Sequence, residues 1–305
     1  MSAQTITTAP EHVGVAPELP DVLPPIRIRP GVAGFLHRYP TIAVGATLLI
    51  VLLLVAVLAP VLGTVDPTAL APARRTRPPS AQFWFGTDML GRDLYSRVLY
   101  GTRVSLTVGF AVGVLASIVG LLIGLTSGFI RWADGLIMRI MDGLMSIPPI
   151  LLAVALMALT RASVGNVFMA ITIAEIPRVS RLVRGVVLSL REQLYVEAAV
   201  AAGTRTSAII YRHILPNTLA PMTVQATYIC GGAMIVEAIL SFIGAGTPPT
   251  IPSWGNIMAE GRALWQVKPY IMLFPAVFLS ITVLAVNLLG DGLRDALDPR
   301  MANRP

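Results

Sequence analysis

Cysteine is nearly missing from this chain. Cys230 is the only one in 305 residues, so no internal disulfide can form. Lysine is just as scarce: Lys268 is the only one among 23 basic residues, and it stands in Val267-Lys268-Pro269. A phosphate loop of the GxxxxGK[ST] type needs a lysine that reaches the phosphates, so this chain has no such loop. The histidines are His12, His37 and His213, far apart in sequence. With one cysteine they make no converging metal set and no nucleophile–base pair, which argues against a metal site and against a membrane-embedded enzyme. Neither a catalytic residue nor a metal ligand is assigned.

Charge of either sign is sparse. Charged residues make up 13% of the chain against 55% hydrophobic, and the mean hydropathy is +0.74. A soluble domain of this length needs more charge to cover its surface. The composition is that of an integral membrane protein with one membrane domain. The net charge of +7 and pI near 10.2 would also suit a nucleic-acid binder. The basic residues, however, are spread between apolar runs rather than clustered. They read as topology signals, and nucleic acid is not expected as a partner.

Taken in order, residues 1–40 hold many prolines and little periodicity, which predicts a disordered tail. The apolar run Thr41–Leu62 is longer than the roughly 7–15 residues of a signal-peptide core. It predicts a first transmembrane helix, with a polar, turn-rich loop to about residue 100. A second helix is expected over Thr102–Phe129, with Gly109, Gly113, Gly120, Gly124 and Gly128 as small-xxx-small packing pairs. The third runs from the Arg131–Arg139 connection to about Thr160 and should kink at Pro148-Pro149. The fourth is short in apolar residues and passes into an Arg-rich amphipathic stretch. The fifth covers about Asn217–Ile243 and the sixth about Tyr270–Gly290, with a Pro/Gly-rich loop between them and a short tail from 292. The fold class is therefore all-α: a polytopic membrane protein with six transmembrane helices. Six spans put both termini on one side. If that side is the cytoplasm, 14 of the 23 basic residues are cytoplasmic, a real but modest bias.

One polar, Ala-rich interruption organises the chain: Tyr195–Asn217, YVEAAVAAGTRTSAIIYRHILPN. It reads as two short helices broken at Gly203, which suits a turn because glycine tolerates angles closed to other residues. Ala198, Ala199, Ala201 and Ala202 favour helix and are small enough for another surface to approach. Thr204 or Thr206 could cap the second helix. Pro216 fits the first turn of the apolar helix that follows.

Glu197-Ala198-Ala199 with Gly203 and the terminal Leu215-Pro216 resembles the EAA loop of ABC-importer permeases. Three further stretches resemble the C-type permease of dipeptide, oligopeptide and nickel importers: GTDMLGRDLYSRVLYGTRVSL before the second helix, VEAILSFIGAGTPPTIPSWGNIM after the fifth, and GDGLRDALDPR at the end. His213 and Asn217 in HILPN are also typical of that group. The resemblance covers about residues 83–300. Glu175 and Ser180, with Pro177 between them, depart from its usual aromatic and alanine.

That resemblance implies a type I ABC-importer permease fold over 101–291, with the EAA coupling loop at 195–217. The chain would sit as a multi-pass protein in a bacterial plasma membrane, both termini cytoplasmic, paired with a homologous B-type permease. Two ATPase subunits, which bind the ATP and Mg, would dock on Glu197, Ala198, Ala199, Gly203, Thr204, His213, Leu215 and Pro216. An extracytoplasmic substrate-binding protein would deliver cargo. The chain itself would bind no cofactor and be no enzyme. The cargo would be di- or oligopeptides, with nickel chelates, glutathione and haem as alternatives. A secondary transporter or channel is the competing class; it calls for internal inverted repeats, which are not evident, and leaves the EAA stretch unexplained.

Several residues keep two readings. Glu237, deep in the fifth helix, either faces a translocation cavity or bonds to another helix or to the partner permease. Asp142 is a second pathway candidate, although an ion pair with Arg139, three residues away, accounts for it too. Asp88, Arg92, Asp93, Arg97 and Arg103 suit a charge network. With Trp254, the group of Asp88, Arg92 and Asp93 either contacts an extracytoplasmic partner or belongs to a self-bonded loop.

Overall fold

The computed structural model describes residues 32–297, and every named element among them is helical. Helix α1 (Val32–Arg38) turns at Tyr39 into α2 (Pro40–Leu58), which a 3-10 turn extends to Val61. Pro40 stands at the start of α2, where its missing N–H leaves no bond unmade. Helix thus begins inside the stretch expected to be tail; residues 1–31, and with them most of that tail, lie outside the described residues.

Helix α3 (Leu94–Phe129) starts eight residues before the expected Thr102. The reason is a cap: the Asp93 carboxylate accepts from the Ser96 N–H at 2.8 Å and from the Ser96 hydroxyl. At about 1.5 Å per residue α3 is roughly 54 Å long, well beyond the ~30 Å of a bilayer core.

The expected third span is broken rather than kinked. Helices α4 (Arg131–Met145) and α5 (Pro149–Ala158) meet at 87°. Pro148 lies in the extended region at ψ 132, the conformation a residue before proline prefers. Helix α6 (Val164–Arg191) instead runs unbroken through Pro177. After it come α7 (Leu194–Ala201), α8 (Thr206–Ile209), a π turn (Ile210–Ile214) and α9 (Leu215–Phe242). The Pro/Gly-rich loop hides a further helix, α10 (Trp254–Gly261), capped by Ser253, which accepts from the Asn256 N–H at 3.2 Å. Helix α11 (Tyr270–Leu297) runs past Gly290 into the stretch expected to be tail. The rest of the C-terminal motif, beyond Leu297, lies outside the described residues.

Among the described residues, four helical runs are long and apolar enough to cross a membrane, and five if the bent α4–α5 pair is one span. They are α2, α3, the continuous run from α8 through α9, and α11. Helix α6 does not qualify, because Glu175, Arg178, Arg181, Arg184 and Arg191 interrupt its apolar surface. The six-span expectation therefore holds only in its coarser form.

Glycines bring the helices together. Gly120, Gly124 and Gly128 of α3 lie on Val179, Val183 and Val187 of α6, where an added Cβ would fall 2.5–2.7 Å from the valine Cβ atoms. Gly109 and Gly113 of α3 face Met234 and Cys230 of α9. The small residues of one helix thus serve two neighbours. The same pairings set direction: α3 and α6 run parallel, and α9 runs against them. Gly45 of α2 lies on Ala285 and Leu289 of α11, while Gly292 of α11 lies on Thr41 and Ile42, so this pair is antiparallel. The bundle has two ends. One carries residues 62–93 and 243–269; the other carries the start of α2, the α3–α4 junction, residues 192–214 and the end of α11.

Candidate functional site

At the second end, α7 closes on Gly203 at φ +73, an angle that few residues other than glycine adopt. The Thr204 N–H donates to the Ala199 carbonyl and the Gly203 N–H to the Val200 carbonyl, which is the Schellman closure of a helix. The expected turn is therefore present. No threonine caps α8; Arg205 stands at that position and makes no side-chain cap bond. Nor is the second short helix separate. It continues through the π turn into α9, because Pro216 has no N–H for the carbonyl four residues back and the backbone widens there. Asn217 Nδ2 donates to the His213 carbonyl at 2.6 Å.

The segment is held by a few anchors and is otherwise open. Val196, Ile209 and Ile214 are buried in the main core. Glu197 lies exposed in the first turn of α7, Ala198 and Thr204 are exposed, and Ala199 is half-buried. His213 and Leu215 are half-buried, Pro216 is exposed, and the His213 ring lies 6.0 Å from that of Tyr195. Leu194 is 81% exposed, Tyr211 76% and Val200 59%, so an apolar face is presented outward. A hollow of about 530 Å³ beside it is lined by Phe129, Arg191, Val196, Glu197, Val200 and Thr204. Arg191 fixes this corner: its Nη1 donates to the Gly128 carbonyl at 2.9 Å and its guanidinium covers the Phe129 ring. The sequence reading missed the exposed Leu194, Val200 and Tyr211, because apolar residues beside a membrane helix carry no mark of whether they face inward.

The opposite end is closed by charge. Asp88 is fully buried; its Oδ2 accepts from Arg92 Nε at 2.7 Å and from Arg97 Nη1. Both arginines also bond Glu260 of α10, with Arg97 Nη2 to Glu260 Oε1 at 3.1 Å. The expected network is thus real but differently composed. Asp93 caps α3 instead, and Arg103 donates to the carbonyls of Ala56 and Val57 at the end of α2. Glu260 was missed, since nothing local ties it to Arg92, 168 residues away. Trp254 is fully buried, and its Nε1 donates to the Val98 carbonyl at 3.1 Å. Asp88, Arg92 and Trp254 are therefore internal to this chain, and of the two readings the self-bonded loop is the one their burial fits.

Glu237 is likewise fully buried within its own chain. Its Oε1 accepts from the Ser241 hydroxyl at 2.8 Å, its Oε2 lies 3.5 Å from the Ser105 hydroxyl of α3, and Ser241 continues to Thr247, Ser253 and Asn256. It faces no open surface of this chain; it bonds another helix and, through Ser241, the loop that carries α10. Asp142 pairs with Arg181 of α6, not with Arg139. Helix α4 buries Ala133 and Met141, which turns the following residues, Asp134 and Asp142, toward α6. Arg184 there binds Asp134 through two of its nitrogens, Nε to Oδ1 and Nη2 to Oδ2, the latter at 2.6 Å. Among the described residues no group of His, Cys, Asp and Glu is placed to hold a metal ion.

Comparison with known proteins fits this layout. Residues 116–303 match the family described as "Binding-protein-dependent transport system inner membrane component". The chain is 50% identical over 267 residues to the "Probable peptide ABC transporter permease protein y4tQ" of Sinorhizobium fredii, covering 88% of this chain and 91% of that one. It is 44% identical over 259 residues to the "Dipeptide transport system permease protein DppC" of Alkalihalophilus pseudofirmus, covering 85% of each. A solved structure of the MetNI methionine ABC transporter, in inward-facing conformations, shares the fold at TM-score 0.56 and 20% identity, over 67% of this chain and 98% of that one. This chain, a multi-pass membrane protein, belongs to the family of binding-protein-dependent transport system inner membrane components.

Proposed function

We propose that the chain is one of two permease subunits of an ATP-driven importer of di- or oligopeptides and forms half of its translocation pathway. Its partners are a homologous permease, two ATPase subunits and an extracytoplasmic binding protein. The ATP and Mg belong to the ATPase subunits, since this chain has no phosphate loop. Helix α6 completes six spans, placing both termini and residues 194–217 in the cytoplasm.

The observation that carries the coupling role is the exposed apolar surface of Leu194, Val200 and Tyr211 around a glycine-closed helix, standing on the buried anchors Val196, Ile209 and Ile214. A surface so anchored moves with the bundle, so a subunit seated on it can push the spans. The peptide cargo rests on the names of the relatives. Membrane vesicles holding the full complex and its binding protein should take up a radiolabelled dipeptide on ATP addition. The purified chain alone should hydrolyse no ATP. Uptake of a nickel chelate, glutathione or haem but of no peptide would replace the cargo, and hydrolysis by the isolated chain would overturn the division of labour.

A further inference from the structure

We infer that the groove between α2 and α3 seats one anionic phospholipid, with its phosphate on Arg103. The groove holds about 840 Å³ and is lined by Leu53 and Val57 of α2 and by Leu106, Phe110 and Val114 of α3. Glycines fasten α2 to α11, and α3 to α6 and α9, so the two walls are each held from behind and leave a gap between them. Val57 and Val114 stand exposed in that gap. Arg103 is the one charged residue of the lining.

The charge sits at the level of a headgroup. Arg103 bonds the carbonyls of Ala56 and Val57, and the span of α2 ends at Val61. At about 1.5 Å per residue, Arg103 lies roughly 6–8 Å inside the end of that span, within reach of the boundary for a long basic side chain. Below it the groove follows α3 as far as Leu115. That is roughly 18 Å, a little over half of the ~30 Å hydrocarbon core, and so one leaflet deep. The leaflet is the one at the end that carries residues 62–93.

Two polar groups of the lining keep bonding capacity to spare. Arg103 Nε donates to the Ala56 carbonyl, which Pro60, having no N–H, leaves without its helical partner. Arg103 Nη2 donates to the Val57 carbonyl at 3.0 Å, and the guanidinium lies 5.1 Å from the centre of the Tyr100 ring. Among the described residues nothing bonds Nη1, so the outer edge of the fork is open. Thr107 lies one turn deeper on the same face and is exposed. Its hydroxyl has no partner among the described residues, whereas that of Thr102 donates to the Val98 carbonyl. Down the groove the order is thus cation, hydroxyl donor, apolar wall. A glycerophospholipid presents its complement in the same order: phosphate, ester carbonyl, acyl chain. One cation with no acid beside it favours a lipid of net negative charge over a zwitterion, whose own ammonium offsets its phosphate.

The test uses the assembled complex in phosphatidylcholine vesicles at low salt, with Cys230→Ala and a bimane on Val114→Cys of this chain. A small fraction of phosphatidylglycerol with a doxyl-labelled chain should quench the bimane about fivefold more than the same fraction of doxyl phosphatidylcholine, the enrichment expected of one charge pair near the surface. A bimane on Leu284→Cys, exposed on α11, should be quenched alike by both lipids. Arg103→Gln should remove the preference at Val114, and Arg103→Lys should keep most of it. Because Arg103 also caps α2, Ala111→Phe supplies a second route: it fills the groove, leaves the bonds of Arg103 intact and should remove the preference as well. Quenching at Val114 by neither lipid would mean that protein covers the groove, and equal quenching by both would mean ordinary bilayer lipid; either result overturns the site. A preference that survives Arg103→Gln and Ala111→Phe would place the lipid elsewhere and overturn it too. No cargo or ATP enters the measurement, so failure of the peptide reading leaves its outcome untouched.

Discussion

At the end of the bundle that holds Asp88 and Trp254, polar side chains are buried and bonded to each other. At the end that holds Gly203, apolar side chains stand exposed over a few buried anchors. The first end ties its charged groups together internally, although Val61, Trp84 and Val267 are exposed there too. The second has no such buried charge network among the described residues, and its exposed apolar side chains stand over a few buried anchors. The two glycines with the clearest turn roles make the contrast concrete. Gly91 has φ +78, and a Cβ there would fall 1.9 Å from the Ala71 carbonyl oxygen; Gly203 has φ +73, and a Cβ there would meet nothing within 4 Å.

The largest expected effect therefore separates these two positions. Gly91→Val adds a backbone clash to an unfavourable angle and should destabilise the chain by ~3 kcal/mol or more, which drops its amount in the membrane fraction severalfold. Gly203→Val meets only the angle penalty, about 1–2 kcal/mol. That variant should insert at near-normal level and lose uptake, because α7 can no longer hold its direction. Quantitative blotting of membranes beside dipeptide uptake reads both. Normal levels of Gly91→Val, or normal uptake by Gly203→Val, would break the contrast.

A smaller separation is expected between two arginines. Arg97 is 1% exposed in its side chain and bonds Asp88 and Glu260, whereas Arg181 is 50% exposed and bonds Asp142. Arg97→Gln leaves a buried carboxylate short of a partner and should cost about 3–5 kcal/mol. Arg181→Gln should cost about 0–1 kcal/mol, since exposed pairs contribute little. Thermal unfolding of the purified chain in detergent should place the two midpoints far apart, and coincident midpoints would show that burial does not distinguish the ends. Smaller again, Asp93→Ala removes the α3 cap and should cost about 1 kcal/mol, with Asp93→Asn restoring most of it.

What could be read from the sequence was whatever depends on the backbone or on one helix. Gly203 and the α3 glycines were legible for that reason; at Pro148-Pro149 a kink was expected and the chain instead breaks, with the two helices at 87°. The Asp93 cap was legible in principle, as Asp followed three residues later by Ser before an apolar run, but it lies among loop-like glycines that outweighed it. What was not legible depends on rotation about a helix axis or on distant chain. Asp142 had Arg139 within reach on its own helix, yet the burial of Met141 turns it to Arg181. Glu260 completes the network from a helix unmarked except by Ser253, and Glu237 was ambiguous because Ser105 lies on another helix and Thr247 is reached only through Ser241. The family resemblance drew attention to residues 195–217; the exposed side chains around them needed coordinates.

The smallest effect on the chain itself belongs to Glu197→Lys, and for that reason it probes the outward end most cleanly. Glu197 stands exposed in the first turn of α7, where a carboxylate meets the positive end of the helix dipole, worth ~0.3–1 kcal/mol at such a site. Reversal to lysine inverts that small term and touches no buried anchor, so the unfolding midpoint should shift by no more than a few degrees for a bundle this size. Docking is another matter. Glu197 borders both the 530 Å³ hollow and an adjoining notch lined by Arg131, Arg191 and Glu192, so a partner entering there meets a mixed field in which the sign of this one group sets the match. The expectation is a tenfold or greater loss of co-purifying ATPase subunit, partly recovered at high salt, where the new charge mismatch is screened, and a mild effect for Glu197→Gln. Full subunit content in Glu197→Lys would leave the apolar face of Leu194, Val200 and Tyr211 to carry docking without help from charge. Loss of the subunit from Leu194→Asp with Glu197→Lys unaffected would establish that division.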